Sequence, residues 1–481
     1  MAIGALLRLF ALPLVAFAAF GIAVALGLRG DRIVLLGVTL ILAIVILSFV
    51  AVDRLRPIEQ RALLLSIFSF AYLVIFVIPV FVFYLGNAGY SPIHLGNPIP
   101  LTPHWVVWGV IAATVGYVAL LAGYVLPVGG VVARSIPQMR REWSAETCLV
   151  VALVIIPMGW AVRVGADMGL IPERAGSGAL GAVLYFTEFG IALLVLSYIR
   201  QRSRGALLFL LALMPPTIIF GFFTGTKSAV LRPLVMIVVV HIVVTRRLRA
   251  WWVVGFVVLM AIFYPISELY RGYAWTRKLS AVEVLANPGR FIQIIQGFNA
   301  ATTTTEHMEI GLEGTSERLN GLGILSIIVR DAGTRVPFQG GWTIAHIPLS
   351  FIPRLIWPGK PRFETGQWVT DKFGPGPDIQ SSTGATWIGE FYYNFGWPGV
   401  AVGMFILGIW FRFLQESLLG ANSSIPCMFA GVVTIVGLCT GIDGGLLGAT
   451  NSVVFNVAPI VLIHLVVCSF TPPPRQQLLA A

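Results

Sequence analysis

Residues 33–52 read IVLLGVTLILAIVILSFVAV, twenty residues without a charge, and the run stops at Asp53-Arg54-Leu55-Arg56. As a helix rising 1.5 Å per residue, such a run covers about 30 Å, the thickness of a bilayer's hydrocarbon core. Helix is the form it must take in lipid, because only there does a lone segment satisfy its own backbone N–H and C=O groups. The arginines that end the run belong at a headgroup layer rather than in hydrocarbon.

The same pattern recurs along the chain. Apolar runs of spanning length lie near 9–28, 33–52, 62–85, 104–127, 147–164, 178–199, 205–223, 228–244, 250–269, 396–413, 424–441 and 446–469, which predicts about twelve transmembrane helices. Composition agrees: 57% of the residues are apolar and 11% charged, too little polar side chain to coat a soluble globule of 481 residues. The first run is too long for the apolar core of a signal peptide and a second follows at once, so it is expected to stay as a helix. The expected architecture is an all-α polytopic membrane protein. Its parts are an N-terminal bundle of about nine helices over 1–269, an extracytoplasmic loop over 270–392, and about three further helices over 393–481.

Short loops fix the orientation. Arg54, Arg56 and Arg61, then Arg134, Arg140 and Arg141, then Arg200, Arg202 and Arg204, then Arg246, Arg247 and Arg249 fall in alternate loops, with Arg8, Arg412 and Arg475 on the same side. The opposite short loops hold Arg29, Arg32, Arg174 and Lys227. The positive-inside bias therefore puts both termini in the cytoplasm and 270–392 outside. Cytoplasmic loops resting against anionic lipid heads account for the net charge of +11, so a nucleic-acid partner is not expected.

Cys148, Cys427, Cys439 and Cys468 all fall in apolar runs and read as small hydrophobes between helices, with no disulfide framework or metal-ligand spacing. His241 and His464 read as structural histidines. Ionisable groups inside spans are costly and default to functional candidates; here they are Arg163, Glu188, Arg232 and Glu268. Gathered toward the outer leaflet they would line a polar pocket. The alternative is snorkelling by Arg163 and Glu268, with an Arg–Glu pair between the other two. The turn Phe223-Thr224-Gly225-Thr226-Lys227-Ser228 also faces outward and sets a helix N-terminus beside a cation, which suits an anion site or a plain helical hairpin.

In 270–392 the charges nearly balance and the apolar residues are periodic, so the segment should fold. Helices are expected over 290–308, after the breaker Asn287-Pro288-Gly289, over 316–329, and over 342–351, the last at the membrane surface. Next, Ile352-Pro353-Arg354-Leu355-Ile356-Trp357-Pro358-Gly359-Lys360-Pro361-Arg362 presents three cations around an aromatic on a proline-stiffened chain. This suits a diphosphate-linked sugar, with cations on phosphate and Trp357 on a sugar face, and equally an anchor at lipid headgroups.

Three stretches carry a family resemblance: Arg330-Asp331, the segment from Phe351 to Pro361, and Trp387-Ile388-Gly389-Glu390-Phe391-Tyr392-Tyr393-Asn394-Phe395-Gly396-Trp397-Pro398-Gly399. Together they resemble the Wzy-type polymerases of bacterial O-antigens and exopolysaccharides, within the O-antigen polymerase/ligase superfamily. A dozen spans with one large outer loop late in the chain is similar to that family as well. Some members carry two outer loops with an Arg followed by ten residues and a Gly. Here Arg330 and Gly341 show that spacing once, and the loop over 86–103 holds no Lys or Arg.

The resemblance implies a GT-C-like membrane glycosyltransferase without a cofactor, working in exopolysaccharide or lipopolysaccharide synthesis at the outer face of the bacterial inner membrane. It would take undecaprenyl-diphosphate-linked oligosaccharides and move a glycan onto the non-reducing end of another carrier-linked unit. Membrane lipids and a chain-length regulator are the other partners implied. Such a reaction asks for cations on the leaving diphosphate and a proton acceptor for the attacking hydroxyl. Candidates for the first are Arg271, Arg330, Arg335, Arg354, Lys360 and Lys227, with Arg232 available to a second phosphate site. For the second, Glu390 leads, ahead of Asp331, Glu268 and His346; its competing reading is a surface carboxylate paired with an arginine. Trp357 and Tyr392 are the candidates for stacking on sugar. With so many cations a divalent metal is not required. A ligase of the same superfamily differs only in acceptor. A flippase or transporter instead predicts charges lining a path to the cytoplasmic side, whereas these collect toward the outer half.

Overall fold

The computed structural model describes residues 30–85, 99, 101–171, 183–225, 227–247, 251, 255, 258, 267, 270, 279–287, 289, 292, 320–352, 357, 359, 365–374 and 383–470. In chain order its helices are α1 (Asp31–Leu55), α2 (Leu63–Phe76), α3 (Pro103–Val125), α4 (Val128–Ser135), α5 (Ala145–Asp167), α6 (Phe186–Gln201), α7 (Arg204–Phe223), α8 (Lys227–Thr245), α9 (Ala281–Ala286), α10 (Gly321–Asp331), α11 (Trp342–Ser350), α12 (Thr365–Phe373), α13 (Trp387–Leu418), α14 (Ile425–Thr440) and α15 (Leu446–Phe470). Among the described residues there is no strand, only a lone bridge between Ala332 and Val336.

Among the described residues, seven helical stretches are long and apolar enough to cross a membrane: α1, Leu63–Tyr84 (α2 continued by a π turn), α3, α5, α7, α13 and α15. The protein is an all-α membrane protein. Ala229–Thr245 of α8 and all of α14 are shorter apolar helices, and the sixth expected span is the sixteen-residue α6. The expected span at 9–28 lies outside the described residues, and most of 250–269 does too. So does the helix expected at 290–308, apart from Ile292. The one expected over 316–329 is described from Asn320, whose side chain accepts the Gly323 N–H at 2.9 Å and so caps α10.

The helices form two compact units, each discontinuous in sequence. The first comprises Met1–Ser135, Ser316–Glu416 and Leu438–Asn451. Aromatic residues from α2, α3 and α13 fill its centre: Phe68 stacks on Trp387 at 5.3 Å and meets Phe411 edge-on at 4.8 Å, while Tyr72 lies 5.1 Å from Tyr117. Ser69 and the Tyr117 hydroxyl share a hydrogen bond of 2.6 Å, so the polar tips of this cluster are satisfied inside it. α3 and α13 cross with their backbones in contact. A Cβ on Gly123 would strike the Phe405 carbonyl, and one on Gly408 the Leu120 carbonyl, the small-residue packing by which helices approach in lipid.

The second unit comprises Ile136–Thr315, Ser417–Gly437 and Ser452–Ala481. α5 and α6 pack through small residues, Gly159 against Thr187 and Gly190 against Ile156. Trp143 Nε1 donates to His464 Nδ1 at 3.1 Å, which gives that histidine the structural place expected of it.

Acidic side chains cap helix starts from a distance in both units. Asp53 accepts from Ala62 N at 2.9 Å and Ser66 Oγ at 2.8 Å; Asp167 accepts from Ala281 N at 3.0 Å and Val282 N at 2.8 Å. Glu142 accepts from Ile425 N at 3.1 Å and lies 3.6 Å from Arg200. A carboxylate suits these places because the first N–H groups of a helix have no intrahelical acceptor and the dipole favours negative charge there.

Candidate functional site

Glu390 belongs to the same group of capping acids and differs from the others. It stands in the first turn of α13, just after Thr386, whose hydroxyl caps the helix by accepting Gly389 N–H at 3.1 Å. Thr386 has φ 59, a left-handed conformation that a β-branched residue adopts only under strain. The Glu390 carboxylate is fully buried, and its Oε2 accepts the Leu446 N–H at the start of α15 at 2.6 Å. Gly445 makes that approach possible, since a Cβ there would lie 3.1 Å from both Glu390 Oε2 and Thr365 Cγ2. The other oxygen, Oε1, meets no hydrogen-bond partner of good geometry among the described residues, although the Thr343 hydroxyl lies near the carboxylate, and no cation there pairs with it. Asp53, Asp167 and Glu142 each engage both of their oxygens; Glu390 engages only one as closely. The surface ion pair considered for Glu390 is excluded by its burial.

The turn before α11 docks on this part of α13. Gln339 N–H donates to the Tyr393 carbonyl at 2.9 Å and Gly340 N–H to the Asn394 carbonyl at 3.1 Å. Asn394 Oδ1 accepts Gly341 N–H at 3.0 Å, while its Nδ2 donates to Thr343 Oγ1 at 2.7 Å and to the Glu390 carbonyl at 2.8 Å. Asn394 thus ties Thr343, itself fully buried, to the turn of helix that bears Glu390. Gly341, the glycine of the Arg-ten-Gly spacing, has φ 90, and a Cβ on it would lie 2.6 Å from the Phe395 ring. Its place in the motif answers both a backbone conformation and a close approach of Phe395. α12 runs along the same face of α13, with Trp368 and Phe373 4.9 and 6.1 Å from the Tyr393 ring.

At the end of α10, Asp331 gathers two of the candidate cations. Arg330 grips it with two parallel hydrogen bonds of 2.8 and 3.0 Å, and Arg335 Nη2 lies 2.9 Å from its Oδ2. Asp331 is buried, whereas the Arg335 side chain is 52% exposed and keeps much of its surface in contact with solvent. Arg335 also donates to the Phe373 carbonyl at 3.0 Å, at the C-terminal end of α12.

One family matches this chain, described as a domain of unknown function, DUF8712, over residues 104–470. The chain belongs to that family. Both the Glu390 and the Asp331 clusters lie inside the matched region. No curated protein and no solved structure matches the chain.

The remaining candidates of this DUF8712 protein are placed as follows. His346 turns back on its own helix, Nδ1 2.7 Å from the Trp342 carbonyl and its ring edge-on to Trp342 at 4.6 Å. Tyr392 is 7% exposed, packed by Phe338 and Trp397, which makes it a core residue here rather than an open face for sugar. Trp357 is 38% exposed. In the second unit, Arg163 pairs with Glu188 and also donates to the Leu184 carbonyl at 3.1 Å, while the Arg232 guanidinium lies 4.4 Å over the Tyr185 ring. The partner of Glu188 is therefore Arg163, not Arg232. Glu268, Arg271, Arg354 and Lys360 lie outside the described residues, as does the side chain of Lys227, which opens α8. Among the described residues no three His, Cys, Asp or Glu side chains converge as metal ligands. Thr343, Thr386 and Asn394 were missed by sequence reasoning; only Asn394, inside the quoted Trp387–Gly399 stretch, carried a signal.

Proposed function

We propose that this protein is a membrane glycosyltransferase of GT-C-like, twelve-span architecture that polymerises oligosaccharide repeat units carried on polyprenyl diphosphate. The reaction would take place at the outer face of the bacterial cytoplasmic membrane, with both termini in the cytoplasm. The observation that supports this most is Glu390: a buried carboxylate at a strained helix start, with one oxygen committed to Leu446 and the other without a hydrogen-bond partner of good geometry among the described residues. In the proposed step, an acceptor hydroxyl at the non-reducing end of one unit attacks the anomeric carbon of another. The bond from that carbon to the diphosphate breaks, Glu390 takes the hydroxyl proton on Oε1, and polyprenyl diphosphate leaves. In this reading Arg335, beside Arg330 on Asp331, would neutralise the growing charge on the leaving group, as guanidinium donors do for phosphate.

The test is a deletion strain whose lipid-linked sugars and surface glycans are compared with the parent. Single repeat units with no long chains are expected. Long chains left on the lipid carrier would replace the polymerase by a ligase, and units retained on the cytoplasmic face would replace it by a flippase.

A further inference from the structure

The short helix α4 carries its apolar face outward. It begins three residues after α3 ends, beyond a bend at Leu126, whose ψ of 139 breaks the helix, and it lies against the last turns of α13. Backbone makes that contact: a Cβ on Gly129 would strike the Ile409 carbonyl and the Phe413 nitrogen, and Gly130 faces the side chains of Arg412 and Glu416. Ala133 completes this inner face and is buried. On the other side, at helical spacing, Val128, Val131 and Val132 are 47%, 57% and 47% exposed, and Val125 and Leu126 just before the helix are exposed as well. A helix on a watery surface is polar outside and apolar inside. In α4 the pattern is reversed, and its polar end is a single cation, Arg134, which is exposed in the last turn with no carboxylate paired to it among the described residues.

We propose that α4 is an interfacial helix whose partner is the lipid surface: its valines enter the acyl boundary of the leaflet, and Arg134 takes the phosphate of an anionic headgroup. The level of the helix supports this. α3 is long enough to cross the hydrocarbon core, so α4 stands where that core gives way to headgroups, and on α13 the charges resume at the same height with Arg412 and Glu416. An amphipathic helix at that depth buries its apolar face in the leaflet and holds its cation among the phosphates. A second copy of this chain fits the surface poorly, because five side chains are far fewer than the about 20–30 residues a side that stable protein interfaces use. Lipid that holds α4 also holds its glycine face on the Arg412–Glu416 pair, whose Nη2 and Oε1 lie 2.7 Å apart. None of this depends on the glycan chemistry proposed above.

The test is electron paramagnetic resonance of a nitroxide on Val131→Cys, in the full-length protein reconstituted in liposomes, with the protein bearing only its native cysteines as background. Oxygen, which partitions into lipid, and a water-soluble nickel chelate report the two surroundings. Relaxation by oxygen several-fold above that by nickel is expected. A nitroxide more open to nickel puts α4 in water and overturns the proposal; spin–spin broadening between labelled chains puts a second copy there and overturns it too. Lipid composition tests the headgroup. The nitroxide should sit deeper in phosphatidylglycerol than in phosphatidylcholine, and Arg134→Gln should remove the difference. Equal depths in the two lipids overturn the assignment of Arg134. Should Val131→Cys fail to melt cooperatively, Val132→Cys on the same face gives the same reading.

Discussion

Glu390 Oε2 accepts the main-chain N–H of Leu446 at 2.6 Å, across 56 residues of chain. One carboxylate thereby holds the first turn of α13 and the first turn of α15 together, and any role for Glu390 in chemistry must be separated from this one. The two substitutions that follow make the separation, because only one of them keeps an acceptor for Leu446.

Glu390→Gln retains a carbonyl oxygen for the Leu446 N–H and should change stability by less than about 1 kcal/mol. Glu390→Ala leaves that N–H buried without a partner and should cost ~1–3 kcal/mol. Neither variant can take a proton from an acceptor hydroxyl, so both should abolish long glycan chains. Thermal denaturation in detergent ranks the stabilities, and a glycan gel reads the function. Normal chain length in the Gln variant would sink the role of base while leaving the cap intact.

Gly341→Ala should be more destabilising than Gly340→Ala, although the two glycines are adjacent. Both have positive φ, 90 and 58, so each substitution carries the left-handed penalty of roughly 1–2 kcal/mol. A Cβ on Gly340 meets nothing within 4 Å, whereas one on Gly341 runs into Phe395. Paired melting curves decide the matter, and equal losses would mean that the glycine of the Arg-ten-Gly spacing is there for backbone conformation alone.

The spans were legible because their signal is local: twenty uncharged residues such as 33–52 need no partner to be read as a membrane helix. Much of the site was legible for a different reason, since Arg330, Asp331, Glu390 and Gly341 fall in motif-like stretches. What those residues touch was not. The cap on Leu446, the Arg335 bond to the end of α12 and the tie from Asn394 to Thr343 join residues 37 to 56 positions apart. No periodicity encodes such pairings. The partner of Glu188 shows the limit most plainly. Sequence alone let Arg163 snorkel and paired Glu188 with Arg232, whereas the register of α5 on α6, set where Gly159 meets Thr187 and Gly190 meets Ile156, brings Arg163 to it instead.

That pair should show strong coupling. Glu188 is 1% exposed and Arg163 13%, so Arg163→Ala strands a buried carboxylate and should cost ~3–5 kcal/mol. Adding Glu188→Gln to Arg163→Ala removes the stranded charge and should recover much of the loss. A double-mutant cycle on melting in detergent measures this directly. Additive losses would show that the two groups do not depend on each other, and the structural account of α5 against α6 would have to be rebuilt around its small residues alone.

Thr386→Asn tests whether the strain beside Glu390 has a use. Asparagine is close to threonine in volume, tolerates the left-handed region that Thr386 occupies at φ 59, and is at least as good a helix N-cap. Relieving the backbone while keeping the cap on Gly389 N–H should therefore stabilise the protein by roughly 0.5–1 kcal/mol. Strain that persists at a buried position is held in place by its surroundings, and here those surroundings hold Oε1 of Glu390. If that geometry serves the reaction, the Asn variant should melt higher and make less long-chain glycan. A higher melting point with unchanged glycan would make Thr386 a tolerated defect, and a lower melting point would mean that Thr386 makes contacts outweighing its backbone cost.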